Sequence, residues 1–154
     1  TNTTRLNRRQ ILKAAGGLGI MALGASMSPM AFAAWNKAAF EAKTMSDAYS
    51  ALGAGSPSNS SDVQIVAADI AENGAVVPIQ AVSKLPNTEQ ISILVEKNPS
   101  ALAALFNLTA DTVPEVTTRI KMGQTSNVTV LVKAGGKYFT TTKEIKVTLG
   151  GCGG

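Results

Sequence analysis

The stretch Glu115-Val116-Thr117-Thr118-Arg119-Ile120-Lys121-Met122-Gly123 sets Val116, Thr118, Ile120 and Met122 against Glu115, Thr117, Arg119 and Lys121. Successive side chains of a strand point to opposite faces, so this period of two describes a β-strand with one face toward a core and one toward water. After the Gly123 turn, Val128, Val130 and Val132 repeat the pattern. Gly135-Gly136 then supplies two residues that accept positive φ and closes a hairpin into the last run. That run puts Phe139, Ile145, Val147 and Leu149 on one face and Tyr138, Thr140, Thr142, Glu144, Lys146 and Thr148 on the other.

Working back toward the N-terminus, the same period continues. Val63, Ile65 and Ala67 alternate with Gln64, and Asn73-Gly74 reads as a type I′ turn before a second run, Ala75 to Val82. Pro78 inside that run points to an edge strand or a bulge. Ile91, Ile93 and Val95 alternate with Ser92 and Glu96, and Asn98-Pro99 turns the chain into 101–108, which we read as a strand. About seven short strands over 62–149 predict an all-β fold, an immunoglobulin-like antiparallel β-sandwich. It lacks the Cys…Trp…Cys spacing of an antibody-type domain.

Ahead of the strands the period is helical. Trp35, Ala38, Ala42, Met45, Tyr49 and Leu52 form one stripe, predicting an amphipathic helix over 34–53 that packs on its own domain or docks a partner subunit. Gly53 to Ser61, rich in Gly, Ser, Pro and Asn, reads as a flexible link.

The first 33 residues carry the whole net charge. Arg5, Arg8, Arg9 and Lys13 stand there without an acid, and the remaining chain is neutral, so the formal +4 is a property of the leader. An apolar run, Ala14 to Ala25, and the A-x-A site Ala31-Phe32-Ala33 complete the pattern of a signal peptide over 1–33, cleaved after Ala33. Asn7-Arg8-Arg9-Gln10-Ile11-Leu12-Lys13 resembles the twin-arginine export motif, with departures at Asn7 and Ile11. With Gly16, Gly17, Gly19 and Gly24 diluting the apolar run, it predicts export of folded cargo to the periplasm through Arg8 and Arg9. The competing reading, an uncleaved anchor from Ala14 to Trp35, is opposed by the Gly and Pro content and the cleavage site, so no stable membrane insertion is expected.

Composition removes most other chemistry. The 154 residues are 45% hydrophobic and hold no His and a single Cys, which excludes a His base, a His-ligated metal or haem site and an internal disulfide. A neutral body with 5% aromatics offers no basic stripe for nucleic acid. Asp69 and Glu72 read as solvated turn residues, and there is no P-loop, GxGxxG or CxxC. Three glycosylation sequons, beginning at Asn59, Asn107 and Asn127, carry little weight beside a bacterial-type signal.

The remaining candidate is the tail, Gly150-Gly151-Cys152-Gly153-Gly154. Ile145, Val147 and Leu149 anchor the last strand, and the glycines on both sides of Cys152 form a hinge and leave the sulfur clear of neighbouring side chains. Five extended residues over 150–154 reach at most ~17 Å. The sequence places no His or adjacent cation beside the thiol to lower its ordinary value of about 8.5, and the terminal carboxylate two residues on disfavours the thiolate. An exposed, unactivated thiol on an arm suits a covalent carrier whose clients do the chemistry, not an enzyme. An unpaired cysteine in an oxidising compartment is a liability, which argues against an incidental one.

Three features together resemble one family. They are the twin-arginine-like signal, the Glu72-Asn73-Gly74-Ala75-Val76-Val77-Pro78 segment and the terminal Lys146-Val147-Thr148-Leu149-Gly150-Gly151-Cys152-Gly153-Gly154, which is similar to the SoxY family of thiosulfate-oxidation carrier proteins. The resemblance implies that Cys152 is the sulfur attachment site, with Gly150, Gly151, Gly153 and Gly154 as its hinge. It implies a heterodimer with a SoxZ-like subunit, and transient partners: a c-type cytochrome, a sulfate-releasing hydrolase and a sulfane dehydrogenase. It implies no cofactor or metal on this chain. Competing readings are an immunoglobulin-like adhesion module that cross-links through Cys152, a ubiquitin-like carrier ending in Gly-Gly and a thiol oxidoreductase. The export signal and β pattern oppose the second, and the missing activating residue opposes the third.

Overall fold

A computed structural model of the chain describes residues 35–148. Two short helices, α1 (Lys37–Glu41) and α2 (Met45–Leu52), precede nine strands: β1 (Ser58–Asn59), β2 (Val63–Val66), β3 (Ile70–Ala71), β4 (Val77–Ser83), β5 (Thr88–Val95), β6 (Leu102–Asn107), β7 (Glu115–Ile120), β8 (Ser126–Ala134) and β9 (Lys137–Val147). The expected sandwich forms from a six-stranded sheet in the order β1-β9-β8-β5-β6, with β3 also on β9, and a three-stranded sheet β2-β4-β7.

Alternation builds two cores from one pair of strands. Ile91, Ile93 and Val95 on β5 and Val128, Val130 and Val132 on β8 meet Val63, Ile79, Ala81 and Ile120 of the small sheet. Leu94 and Leu131 face the opposite way, against Ala39, Ala42, Ala48 and Leu52 of the helical segment. Ile91, Ile93, Leu94, Val128, Val130 and Val132 have no exposed surface. Each such side chain contributes about 1.5–3 kcal/mol of transfer free energy.

The helical stripe therefore packs on its own domain, but as two helices where one was expected. Ala42 turns extended (φ −61°, ψ 126°), and Thr44 caps a fresh start by accepting from the Asp47 N–H at 3.1 Å. The break frees the Ala42 carbonyl to accept from Ala101 N–H at 3.0 Å, tying the segment to the start of β6. It also shifts the buried face of α1 from the expected Ala38 to Ala39. Gly53, at φ 72°, ends α2 in the left-handed conformation, and the Tyr138 hydroxyl reaches across from β9 to donate to Leu52 O at 2.7 Å. Burial pushes the Tyr49 hydroxyl up, opposed by its hydrogen bond with Thr129.

Three further expectations change. There are nine strands against the seven expected, and the two short additions, β1 and β3, run parallel to β9 in an otherwise antiparallel assembly. β1 lies inside the segment read as a flexible link, with Ser58 opposite Phe139. β2 and β4 do form an antiparallel pair, but residues 67–76 join them in place of a two-residue turn, and Gly74 has no positive φ. Gly135 and Gly136 do take positive φ, at 56° and 75°, and close the β8–β9 hairpin as expected. Pro78 sits in the middle strand of the small sheet. It lies beyond the last β2 pair, Val66 opposite Gln80, so the strand is an edge at that position.

The Tyr138 bond gives the first prediction. Tyr138→Phe leaves the helix-terminal Leu52 carbonyl without its donor and lowers stability by about 1 kcal/mol, measured by urea denaturation.

Candidate functional site

The signal-peptide residues 1–33 with Arg8 and Arg9, and residues 149–154 with Cys152 and its four glycines, lie outside the described residues. The site that can be built is the root of the C-terminal arm, where the described chain reaches Thr148. Four peptide units separate Thr148 from Cys152, which bounds their Cα separation at about 15 Å by covalent geometry.

β9 outlasts its antiparallel neighbour. The final β8–β9 pair is Ser126 opposite Ile145, and three more described residues follow, Lys146, Val147 and Thr148. Their backbone donors go elsewhere. Lys146 N–H donates to Asp69 O at 2.9 Å and Thr148 N–H to Ala71 O at 3.1 Å, while Val147 N–H on the other side donates to the Thr125 hydroxyl at 2.9 Å. The Thr148 hydroxyl lies 3.5 Å from Glu72 O, at the outer limit for a hydrogen bond.

The segment 67–76 that receives these donors is held by one charged side chain. Lys143 Nζ donates to Ala67 O and pairs with Asp69 Oδ1 at 2.9 Å. Lys143 shares its strand face with Ile145 and Val147, so its stem passes along the core edge before the ammonium reaches the rim. Asp69, read from sequence as a solvated turn residue, is exposed but engaged. The Lys143 ammonium holds its carboxyl below the usual range by hydrogen bond and by charge, opposed by slight desolvation and helped by Lys146. The Asp69 carboxylate is turned to Lys143.

Gly74 completes the seat. A Cβ there would collide with the Met122 carbonyl and stand 2.8 Å from Val147 Cγ1, and Met122 N–H donates to Gly74 O at 2.7 Å. Glycine is required for close approach, not for φ. Asn73 Oδ1 accepts from Ala75 N–H at 2.9 Å and turns the segment locally.

Beside this root lies a groove of about 410 Å³, lined by Val66, Ala67, Ile70, Val76, Pro78 and Thr117 among others. Val66, Ile70 and Val76 are 55%, 54% and 47% exposed, unusual for side chains of their size and type. Ala71 and Glu72, which face Thr148, also line the groove, so arm root and groove share one wall. Among the described residues no cluster of three or more His, Cys, Asp or Glu could hold a metal, and no helix is long and apolar enough to cross a membrane.

The sequence reading missed Lys143, Gly74's true role and the 67–72 segment. A signal for the first was present: a lysine in phase with the core-facing Phe139, Ile145 and Val147 must find a partner at the rim. No local pattern reveals β3, which is two residues long.

The same outline recurs among known proteins. The family "Sulfur oxidation protein SoxY" matches residues 48–152, a span that includes Cys152. The solved structure of the sulfur carrier protein SoxY from Chlorobium limicola f thiosulfatophilum is 39% identical, with a TM-score of 0.59, covering 67% of this chain and 96% of that one. A variant of superoxide reductase (neelaredoxin) from Ignicoccus hospitalis, 14% identical with a TM-score of 0.50 over 64% of this chain and 87% of that one, shares the fold alone. No curated protein matches the chain.

The ion pair predicts a pH dependence. Asp69 has a lowered folded-state pKa, so its contribution is present above the unfolded carboxylate value of about 3.9 and is lost as pH falls through the folded value. The stability difference between wild type and Asp69→Asn therefore shrinks to nothing under acid, measured by denaturant titration from neutral pH downward.

Proposed function

This chain belongs to the SoxY family of sulfur oxidation proteins, and from that premise we propose that it carries thiosulfate-oxidation intermediates covalently on Cys152 and presents them to partner enzymes. The observation that carries the reading is that the family match runs to Cys152, a lone thiol between two Gly-Gly pairs at the end of a core-anchored strand. The proposed location is the periplasm, reached by the twin-arginine route through Arg8 and Arg9, and the proposed stable partner is a SoxZ-like subunit.

In this reading the chain supplies the attachment point and its clients supply the chemistry. Coupling thiosulfate to the Cys152 thiol forms an S–S bond, releases one proton and passes two electrons to a c-type cytochrome partner. A hydrolase then adds water across the terminal S–S bond, leaving a persulfide anion on the carrier and releasing sulfate and two protons. A sulfane dehydrogenase takes six electrons from the remaining outer sulfur, which gains three oxygens from three waters with release of six protons, and a second hydrolysis of the S–S bond releases sulfate and one proton and restores the Cys152 thiol. The glycines on both sides of Cys152 let one thiol adopt different orientations toward each client. The groove formed by Val66, Ile70 and Val76 gives a bound sulfane chain an apolar wall within reach of the arm.

The alternative, an adhesion module cross-linked through Cys152, predicts a different product. Intact mass of the processed protein from thiosulfate-grown cells, with and without reductant, separates them. Reductant-labile adducts of sulfur or thiosulfonate, lost in Cys152→Ser, are expected. Only bare thiol or protein–protein disulfides would move the assignment to the cross-linking module. A substitution in the groove, Ile70→Asp, is expected to shorten the lifetime of a preloaded adduct severalfold against an added thiol, because it places a charge in the wall the adduct rests on.

A further inference from the structure

We propose that residues 67–76 are a strap that fixes where the arm leaves the sandwich, and that Lys143 is the positioning residue that seats it. The inference rests on the carrier reading for its purpose, and on described residues alone for its geometry.

The argument starts from the shortfall of β8. Up to Ile145 the arm-bearing strand is held by a regular antiparallel ladder; beyond it no β8 residue is paired with β9. An unpaired strand end of three residues frays, because its few exposed hydrogen bonds do not offset the backbone entropy of ordering it. Here Lys146 and Thr148 donate to carbonyls of the strap, Asp69 O and Ala71 O, in a short parallel pairing with β3. Two residues of parallel pairing are themselves marginal, so the strap needs its own anchor.

Two anchors are present, one at each end. At the N-terminal end Lys143 Nζ holds both the Ala67 carbonyl and the Asp69 carboxylate, and it comes from β9 itself, three residues before Lys146. At the C-terminal end Gly74 packs on Met122 O and Val147 Cγ1, with Met122 N–H bonded to Gly74 O. β9 thus carries, on its ladder-held part, the side chain that seats the strap which in turn holds its tip. If the strap lifts, the segment after Ile145 keeps only the Thr125 bond and core contact of Val147, and when those yield the free segment lengthens by three residues, about 10 Å of reach. A longer tether lowers the effective concentration of the thiol at a client site that the shorter arm already spans.

The charged groups around the clamp are few. Lys143 and Lys146 of β9 act on Asp69, and Glu72 lies on the strap itself. Protonating Asp69 removes the carboxylate and leaves the Ala67 carbonyl as the acceptor for Lys143.

Residue-resolved amide exchange on the full chain tests this without any sulfur chemistry. Lys143→Met keeps the aliphatic stem and removes the clamp. The Lys146 and Thr148 amides are expected to exchange roughly tenfold faster or more, while the amides of residues 128–132 keep wild-type protection. Asp69→Asn, at an exposed position that folding tolerates, is expected to move the same two amides in the same direction by less. In wild type the protection factors of those amides fall as pH drops through the Asp69 pKa; in Asp69→Asn that fall is absent. Unchanged protection at Lys146 and Thr148 in both variants would overturn the proposal, as would a uniform loss across β8 and β9. Either result leaves the carrier reading untouched, since that stands on the mass of adducts at Cys152.

Discussion

β5 and β8 are buried on both faces, and most of the architecture is a response to that constraint. A strand with one wet face needs one covering layer; these two need two. The small sheet covers Ile91, Ile93, Val128, Val130 and Val132, and the helical segment covers Leu94 and Leu131. The helices are short and their buried residues mostly alanine, which brings their backbones close to the sheet. Neither helix has the length to be stable alone, so beside the local Thr44 cap their order follows from tertiary contacts: the Ala42–Ala101 bond and the Tyr138 tether.

The same constraint separates a rigid body from its working end. β9 flanks β8 and shares the first core through Ile145 and, partly buried, Val147, yet it extends past the last residue paired with β8. Stability along β9 therefore falls from the ladder to the strap-held tip. A carrier needs such a gradient. Its reactive group must be free to enter several sites, and freedom costs affinity unless the tether is anchored close to its base. The two-residue β3 and a single lysine meet that requirement with little added chain.

How much of this was legible depended on the range of the interaction. Strand alternation is local, so the sandwich and the Gly135-Gly136 hairpin were readable from residues a few positions apart, whereas the apolar run of β6 has no period that separates strand from helix. The helix break was not readable either: the stripe of apolar residues runs on through Ala42 and Met45, and the new start at Thr44 goes with the distant Ala101 N–H donating to the Ala42 carbonyl. Gly74 misled because glycine after asparagine has two explanations, positive φ and close approach, and only the position of Met122 and Val147 selects between them. β1 and β3 have two residues each and no period to detect; they exist because β9 offers an edge. The arm's signal is compositional, one thiol among four glycines, and its role stands as a proposal.

An unactivated thiol is often counted against function, but for a carrier the argument reverses. A thiolate stabilised by a neighbouring cation or helix terminus is a better nucleophile at neutral pH and a better leaving group, so its adducts are more easily displaced by any passing thiol. A thiol near its ordinary value leaves less readily and holds its cargo longer. Activation then belongs in the client's site, where it acts only while the arm is inside. The chain has no His, and the Lys143 ammonium is already engaged by Asp69 and Ala67, so the carrier proposal assigns activation of the sulfur to the client's site.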